Sequence, residues 1–165
     1  MEDKIVSSCS HYISEAGIEA LAFNFRGVQQ SEGEYEAGQG EVEDTLAALD
    51  HLLQISPRAR LAVVGFSFGA WVGLDAGNRH PAVDILVGIA PVVTADFRYL
   101  QASTKRKLIV FAEHDECSEE QATRAWLQSL PQPLETCFVP GVGHLFGDRV
   151  DSVGRNVADF LFTNL

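Results

Sequence analysis

The chain has little of what would tie it to nucleic acid, a membrane, a metal or a disulfide framework. Twelve Lys and Arg stand against 23 Asp and Glu, a net charge of −11. A groove that neutralises phosphates needs clustered cations instead. Lys105-Arg106-Lys107 is the one basic cluster; placed just before an apolar run, it reads as the solvated start of a strand. The acidic excess serves solubility rather than recognition. Three cysteines, Cys9, Cys117 and Cys137, are odd in number and lack metal-ligand spacing, so neither a disulfide framework nor a zinc site is indicated. No apolar run approaches the length of a transmembrane helix, and Met1 to Val6 lacks the apolar core of a secretory signal. A cytoplasmic chain with reduced thiols is the expectation. There are no repeats, low-complexity tracts or linkers, and no Gly-x-Gly-x-x-Gly follows a strand pattern, which sets dinucleotide binding aside.

What is present is apolar and periodic. Hydrophobic residues make up 46% of 165, enough for one domain over 1–165 with a substantial core. Ile5, Val6, Cys9, Ile13 and Ala16 form a helical stripe ended by Gly17. Leu21 to Asn24 reads as a short buried strand, and 26–40 as a polar, glycine-rich loop. Val42, Leu46, Leu49 and Leu53 mark a helix over 41–54 with acids in its first turn. Strands are expected at 60–66, 84–90, 108–113 and 135–139. Helices are expected at 69–79, 118–130 and 149–165, the second opened by a Ser118-x-x-Gln121 capping box. Near-continuous apolar strands alternating with helices imply a three-layer α/β/α sandwich around a mainly parallel sheet of about five strands. Right-handed crossovers then place every strand's C-terminal end on one edge, where such sheets hold their sites.

That edge carries the chemistry. The run Leu61 to Val64 leads into Gly65-Phe66-Ser67-Phe68-Gly69 and then a helix, the sequence form of a nucleophile elbow. Residues two before and two after the serine are expected to crowd the strand and helix, favouring glycine at both. Ser67 then needs a base and an orienting acid. Asp115 follows the 108–113 strand and His144 follows the 135–139 strand, in the order Ser, Asp, His. A serine hydroxyl is a weak nucleophile until an imidazole takes its proton, and a carboxylate fixes the imidazole's tautomer. Glu113 and Glu116 are rival acids, with Asp96 a remoter one. His11, His51 and His80 fall in or at the ends of helices, where a surface role is ordinary. His114 precedes the acid and points away from it.

These residues, with Asn24-Phe25-Arg26-Gly27-Val28, Ser31 and Gly33, and Gly38, Gly40, Glu41 and Asp44, make the whole chain resemble the α/β-hydrolase superfamily. The likeness is to its small, nearly lidless bacterial serine hydrolases. The resemblance implies cleavage of carboxylic ester or related acyl bonds in a small-molecule substrate through an acyl-enzyme. It implies no metal or organic cofactor; the acidic charge and the short apolar runs argue against a nucleic-acid or membrane partner. Ser67 would be the nucleophile, His144 the acid and base, Asp115 the orienting acid, and the Phe68 N–H an oxyanion-hole donor. Arg26 and its loop would border the site, either contacting substrate or merely tied down by pairing with Asp44. Val92, Val93, Phe97, Tyr99 and Leu100 either line an apolar pocket or belong to the core.

The sequence departs from the pattern in places. Gln29 stands where the branch has Gly, Ala112-Glu113 stand for Gly-Asp, and no second His lies near Gly147. Superfamily members usually carry three more strands before the first helix, and the loop after the third supplies the second oxyanion donor. An N-terminally truncated hydrolase fold is therefore expected, with strands 21–24 and 60–66 either pairing directly or leaving an exposed gap. The alternative function is an α/β-hydrolase-like binding or regulatory module with little turnover.

Overall fold

The computed structural model describes residues 3–165; Met1 and Glu2, part of the N-terminal segment read above, lie outside them. Helix α1 (Lys4–Glu15) starts at Asp3, whose carboxylate accepts the N–H groups of Ile5 and Val6, and ends before Gly17 at φ +80°. After an irregular stretch come α2 (Gln39–Ile55), β1 (Leu61–Phe66), α3 (Phe68–Arg79) and β2 (Val83–Ile89). They are followed by β3 (Arg106–Ala112), α4 (Glu120–Ser129), β4 (Leu134–Val139) and α5 (Val150–Asn164). All strand pairs are parallel, in the order β1-β2-β3-β4, with Val64 opposite Val87, Val87 opposite Leu108, and Leu108 opposite Glu135.

Alternation along the strands builds two cores. Ile85, Val87 and Ile89 of β2 pack with Leu108 and Val110 against Ile5, Cys9 and Ile13 of α1 and Val153, Val157 and Leu161 of α5. Leu86, Ile109 and Phe111 face the other way, onto Leu49 of α2, Leu74 of α3 and Leu127 of α4. Two-residue periodicity thus produces the three-layer α/β/α sandwich.

The sheet has four strands, not five. Leu21 to Asn24 runs through irregular backbone and is exposed, Leu21 at 46% and Phe23 at 42%. Its apolar residues suit a strand, but a strand exists only through a ladder. Among the described residues no backbone hydrogen bond joins this stretch to β1. An apolar groove of about 330 Å³ separates the two, walled by Leu21 and Phe23, by the open edge of β1, and by Ile5, Cys9, Leu52 and Gly73 from the flanking helices. The exposed gap, rather than direct pairing, is what the chain adopts.

Two further readings need correction. Ser118 does not cap α4: the N-cap is Glu119 with no side-chain bond, and the Ser118 hydroxyl instead accepts the Val93 N–H at 2.9 Å. The basic cluster is not solvated throughout. Lys107 is fully buried, its ammonium donating to the carbonyls of Ser103 and Lys105, while Lys105 donates to those of Gly77 and His80. These cations satisfy carbonyls at the N-terminal end of the sheet, where helix and strand termini leave them unpaired.

The loop before α2 is held by one arginine. The Arg26 guanidinium donates to Asp44 at 2.8 and 3.1 Å and also to Glu36, and the Arg26 N–H reaches Asp44 at 2.9 Å. Its side chain packs so close to Gly40 that a Cβ there would fall 2.1 Å from it. Arg26 is therefore committed within the fold, the tied-down reading. Hydrogen bonds from Arg26 hold the Asp44 carboxyl below its usual range, against burial. For Glu41, burial pushes upward, but the N–H groups of Glu36, Glu41 itself and Gly38, with the Arg26 charge, outweigh it and leave the group lowered.

Strand β1 and helix α3 meet at Gly65. A Cβ there would lie 2.1 Å from the Gly69 carbonyl oxygen and 2.8 Å from the Ala70 Cα, both backbone atoms that cannot yield. Gly65→Ala is expected to cost about 3 kcal/mol or more, read as a loss of the cooperative thermal transition or a large fall in Tm. Because Asp44 and Glu41 bind fewer protons folded than unfolded, stability is expected to hold above their ordinary values of 3.8 and 4.5 and to fall as pH drops below them. Denaturant melts from pH 7 to pH 2.5 measure this, and Asp44→Asn should flatten part of the slope.

Candidate active site

The tight turn from β1 into α3 puts Ser67 at φ +52°, ψ −114°, a region that non-glycine residues rarely occupy. The Ser67 N–H donates to the Ile89 carbonyl at the end of β2 at 2.9 Å, and its carbonyl accepts the N–H groups of Ala70 and Trp71 in the first turn of α3. The conformation is thus over-determined from both sides, and the side chain rises from the C-terminal edge of the sheet. The crowding expected at both glycines exists at only one. Gly65 is pinched against α3, whereas a Cβ on Gly69 would meet nothing within 4 Å, since that residue faces the apolar groove.

Asp115 leaves the end of β3 in a turn in which its Oδ1 accepts the Cys117 N–H at 2.8 Å. His144 sits beyond β4 in a loop shaped by Gly141 at φ +72° and by Phe146, which is fully buried at φ +57°. The two side chains meet: His144 Nδ1 lies 2.9 and 3.0 Å from the Asp115 oxygens. Its Nε2 lies 2.8 Å from Ser67 Oγ. With the ring proton on Nδ1, the tautomer a carboxylate there selects, Nδ1–H donates to Asp115 and Ser67 O–H donates to Nε2. Asp115 and His144 are 9% and 7% exposed, so this pair is shielded while Ser67 is half-buried. The Phe66 ring stands 5.3 Å from the imidazole and shelters one side of it.

The Phe68 N–H, first in α3, makes no hydrogen bond among the described residues. It is one of the unpaired donors of a helix N-terminus and is free for an anionic oxygen beside Ser67. The other sequence candidates lie elsewhere. Glu113 accepts the Gly141 N–H at 2.7 Å and Glu116 the His144 N–H at 3.0 Å, so neither reaches the imidazole nitrogens. Asp96 is paired to Arg98. His114 is exposed, its ring 3.8 Å from the Glu113 carboxylate. His80 is not a surface residue: it is buried after α3, 3.3 Å from Asp50. Phe97 and Leu100 are core residues.

Asp115, Cys117 and His144 have ligand atoms within 4.8 Å of one another. The first and third are committed to each other, however, and burial with the nearby Asp115 and Glu116 charges raises the Cys117 thiol, which favours its protonated form. This donor set does not make a ready metal site. Among the described residues no helix is long and apolar enough to cross a membrane.

Residues 4–114 match the family described as "Serine aminopeptidase, S33". The fold is similar to an α/β serine hydrolase homologue from Coxiella burnetii, at 30% identity and TM-score 0.91, covering 98% of this chain and 77% of that one. It is also similar to a lidless α/β serine hydrolase from Xanthomonas campestris, at 28% identity and TM-score 0.90, covering all of this chain and 75% of that one. An uncharacterized protein of Rickettsia prowazekii is 28% identical over 99% of this chain and 73% of its own length. The chain belongs to the α/β serine hydrolases, within the family described as serine aminopeptidase S33.

Proposed function

We propose that this hydrolase cleaves carboxylic esters or related acyl bonds of small molecules through an acyl-enzyme on Ser67. The observation that carries the reading is the unbroken hydrogen-bonded line from Ser67 Oγ through His144 to Asp115, assembled from the C-terminal ends of β1, β3 and β4. As Ser67 Oγ bonds to the acyl carbon, its proton passes to His144 Nε2, and the carbonyl π electrons move onto oxygen. Asp115 offsets the imidazolium charge without taking the proton. The Phe68 N–H donates to the oxyanion. Collapse of the tetrahedral species expels the alcohol, which takes the proton from Nε2. A water then repeats the sequence on the acyl-enzyme and releases the acid.

Among the described residues the Phe68 N–H is the helix N-terminal donor next to Ser67. Activated esters with good leaving groups ask least of the oxyanion donors and are the substrates to try first. Half-exposure of Ser67 and core placement of Phe97 and Leu100 favour an open site without a lid.

A fluorophosphonate probe is expected to add one adduct to the intact protein, mapped to Ser67 by peptide mass, and none to Ser67→Ala. An unlabelled, well-folded protein identical in behaviour to Ser67→Ala overturns the reading. If that protein still binds ligand tightly after Ser67→Ala, it is a binding module instead. Asp115→Asn is expected to lower p-nitrophenyl acetate hydrolysis by about 10³–10⁴, through the wrong imidazole tautomer. Glu113→Gln, at a carboxylate that meets the Gly141 N–H and the exposed His114 ring but not the His144 imidazole, should stay within a few-fold of the parent.

A further inference from the structure

The loop that carries His144 is gripped by the segment after β3 one residue at a time. The Glu113 N–H donates to the Val139 carbonyl at 3.1 Å, and the Glu113 carboxylate accepts the Gly141 N–H. The His114 N–H donates to the Val142 carbonyl at 2.9 Å. Asp115 takes the His144 ring, and Glu116 Oε2 takes the His144 backbone N–H at 3.0 Å. Four successive residues thus hold the loop, and the last two hold one residue, His144, by its ring and by its main chain.

Glu116 stands apart from Glu113 in where it acts. Fixing the ring by Asp115 alone leaves the imidazole free to pivot about that carboxylate, because a bond to one edge of a ring does not set where its Cα sits. The Glu116 bond anchors the main chain from which the ring hangs. Space has been left for it: a Cβ on Gly143 would lie 2.8 Å from Glu116 Oε2, against 3.3 Å from its next neighbour, the His114 carbonyl. Gly143 is therefore small where the carboxylate must pass. The carboxyl sits below its usual range, chiefly through the His144 N–H and its own N–H and against some desolvation, with a smaller contribution from attraction to the His144 ring.

We propose that Glu116 is a positioning residue of this site, holding the His144 main chain so that Nε2 stays within hydrogen-bond reach of Ser67 Oγ while Asp115 holds the ring. This rests on the hydrolase reading above. A shift of about 1 Å in a reacting group can cost about 10² in rate, which sets the scale of the effect.

The test uses four variants, Glu116→Ala, Glu116→Gln, Gly143→Ala and the Glu116→Ala/Gly143→Ala double, with two readouts. One is the rate constant of fluorophosphonate labelling. The other is the low-field proton NMR signal of the His144 Nδ1–H, which needs no turnover. Glu116→Ala is expected to label about 10- to 100-fold more slowly and to broaden or lose the proton signal. On p-nitrophenyl acetate its kcat should fall with KM nearly unchanged. Glu116→Gln keeps an acceptor oxygen for the His144 N–H and should stay within about 3-fold of the parent. Gly143→Ala, whose one contact under 3.0 Å is with a movable carboxylate and whose next, the His114 carbonyl at 3.3 Å, needs only a few tenths of an ångström of adjustment, should fold and reproduce the Glu116→Ala loss. The double variant should be no slower than either single, since both remove one interaction.

Unchanged labelling and an unchanged proton signal in Glu116→Ala overturn the proposal. So does a Glu116→Gln as slow as Glu116→Ala, or additive losses in the double variant. Should Glu116→Ala fail to fold, Gly143→Ala carries the same comparison. A parent that shows the His144 proton but never labels, with the signal lost in Glu116→Ala, retains the positioning role and overturns the hydrolase reading.

Discussion

Everything at the site depends on how closely helix α3 comes back onto strand β1. The approach is permitted at one atom's width: Gly65 has no Cβ, and the Gly69 carbonyl occupies the place one would take. That contact turns the chain through a single residue between strand and helix. It lifts Ser67 above the sheet edge and leaves the N–H of Phe68, the next residue, without a hydrogen-bond partner among the described residues. The parallel sheet then completes the geometry. Strands β3 and β4 end on the same edge, and their following turns bring Asp115 and His144 to the serine from a long way off in sequence.

Much of this is legible in the sequence. β2 and β3 are readable because each is an apolar run buried on nearly all sides, and β1 and β4 because each is a short run of strand-favouring residues between helices; the ends of all four agree with the structure within two residues. Ser67, Asp115 and His144 can be grouped through order and position: each follows a strand, parallel strands end on one edge, and the structure brings the three side chains into contact. What escaped detection was decided by partners distant in sequence. Leu21 to Asn24 has strand-like residues, yet pairing is a property of two segments, and its neighbour across the groove is out of reach. Ser118 carries a good cap sequence, but the Val93 N–H claims its hydroxyl from another loop. Lys107 looked solvated because charge usually implies water. Two carbonyls at the foot of the sheet made burial tolerable instead. The anchoring use of Glu113 and Glu116 was equally hidden, for three acids in four residues look alike until the facing loop is seen.

The same logic explains the two glycines of the elbow. Motif reading treats them as equivalent, whereas the structure separates them: Gly65 is enclosed by backbone, and Gly69 faces open space beside β1. A short motif records that a position is small without recording why. The surroundings supply the reason, and here they differ at positions four residues apart.

Ser67 is held in a backbone conformation that costs on the order of 1–3 kcal/mol for a residue with a side chain. Glycine would adopt it freely. The residue best placed for chemistry is thus one at which the fold alone would choose differently. A lineage released from the need for turnover would gain stability by drifting to glycine there, while Gly65, which serves packing alone, would stay as it is. Among descendants of such a protein, the identity of residue 67 would record whether selection still acts on the reaction, long after the sheet and helices had ceased to tell them apart.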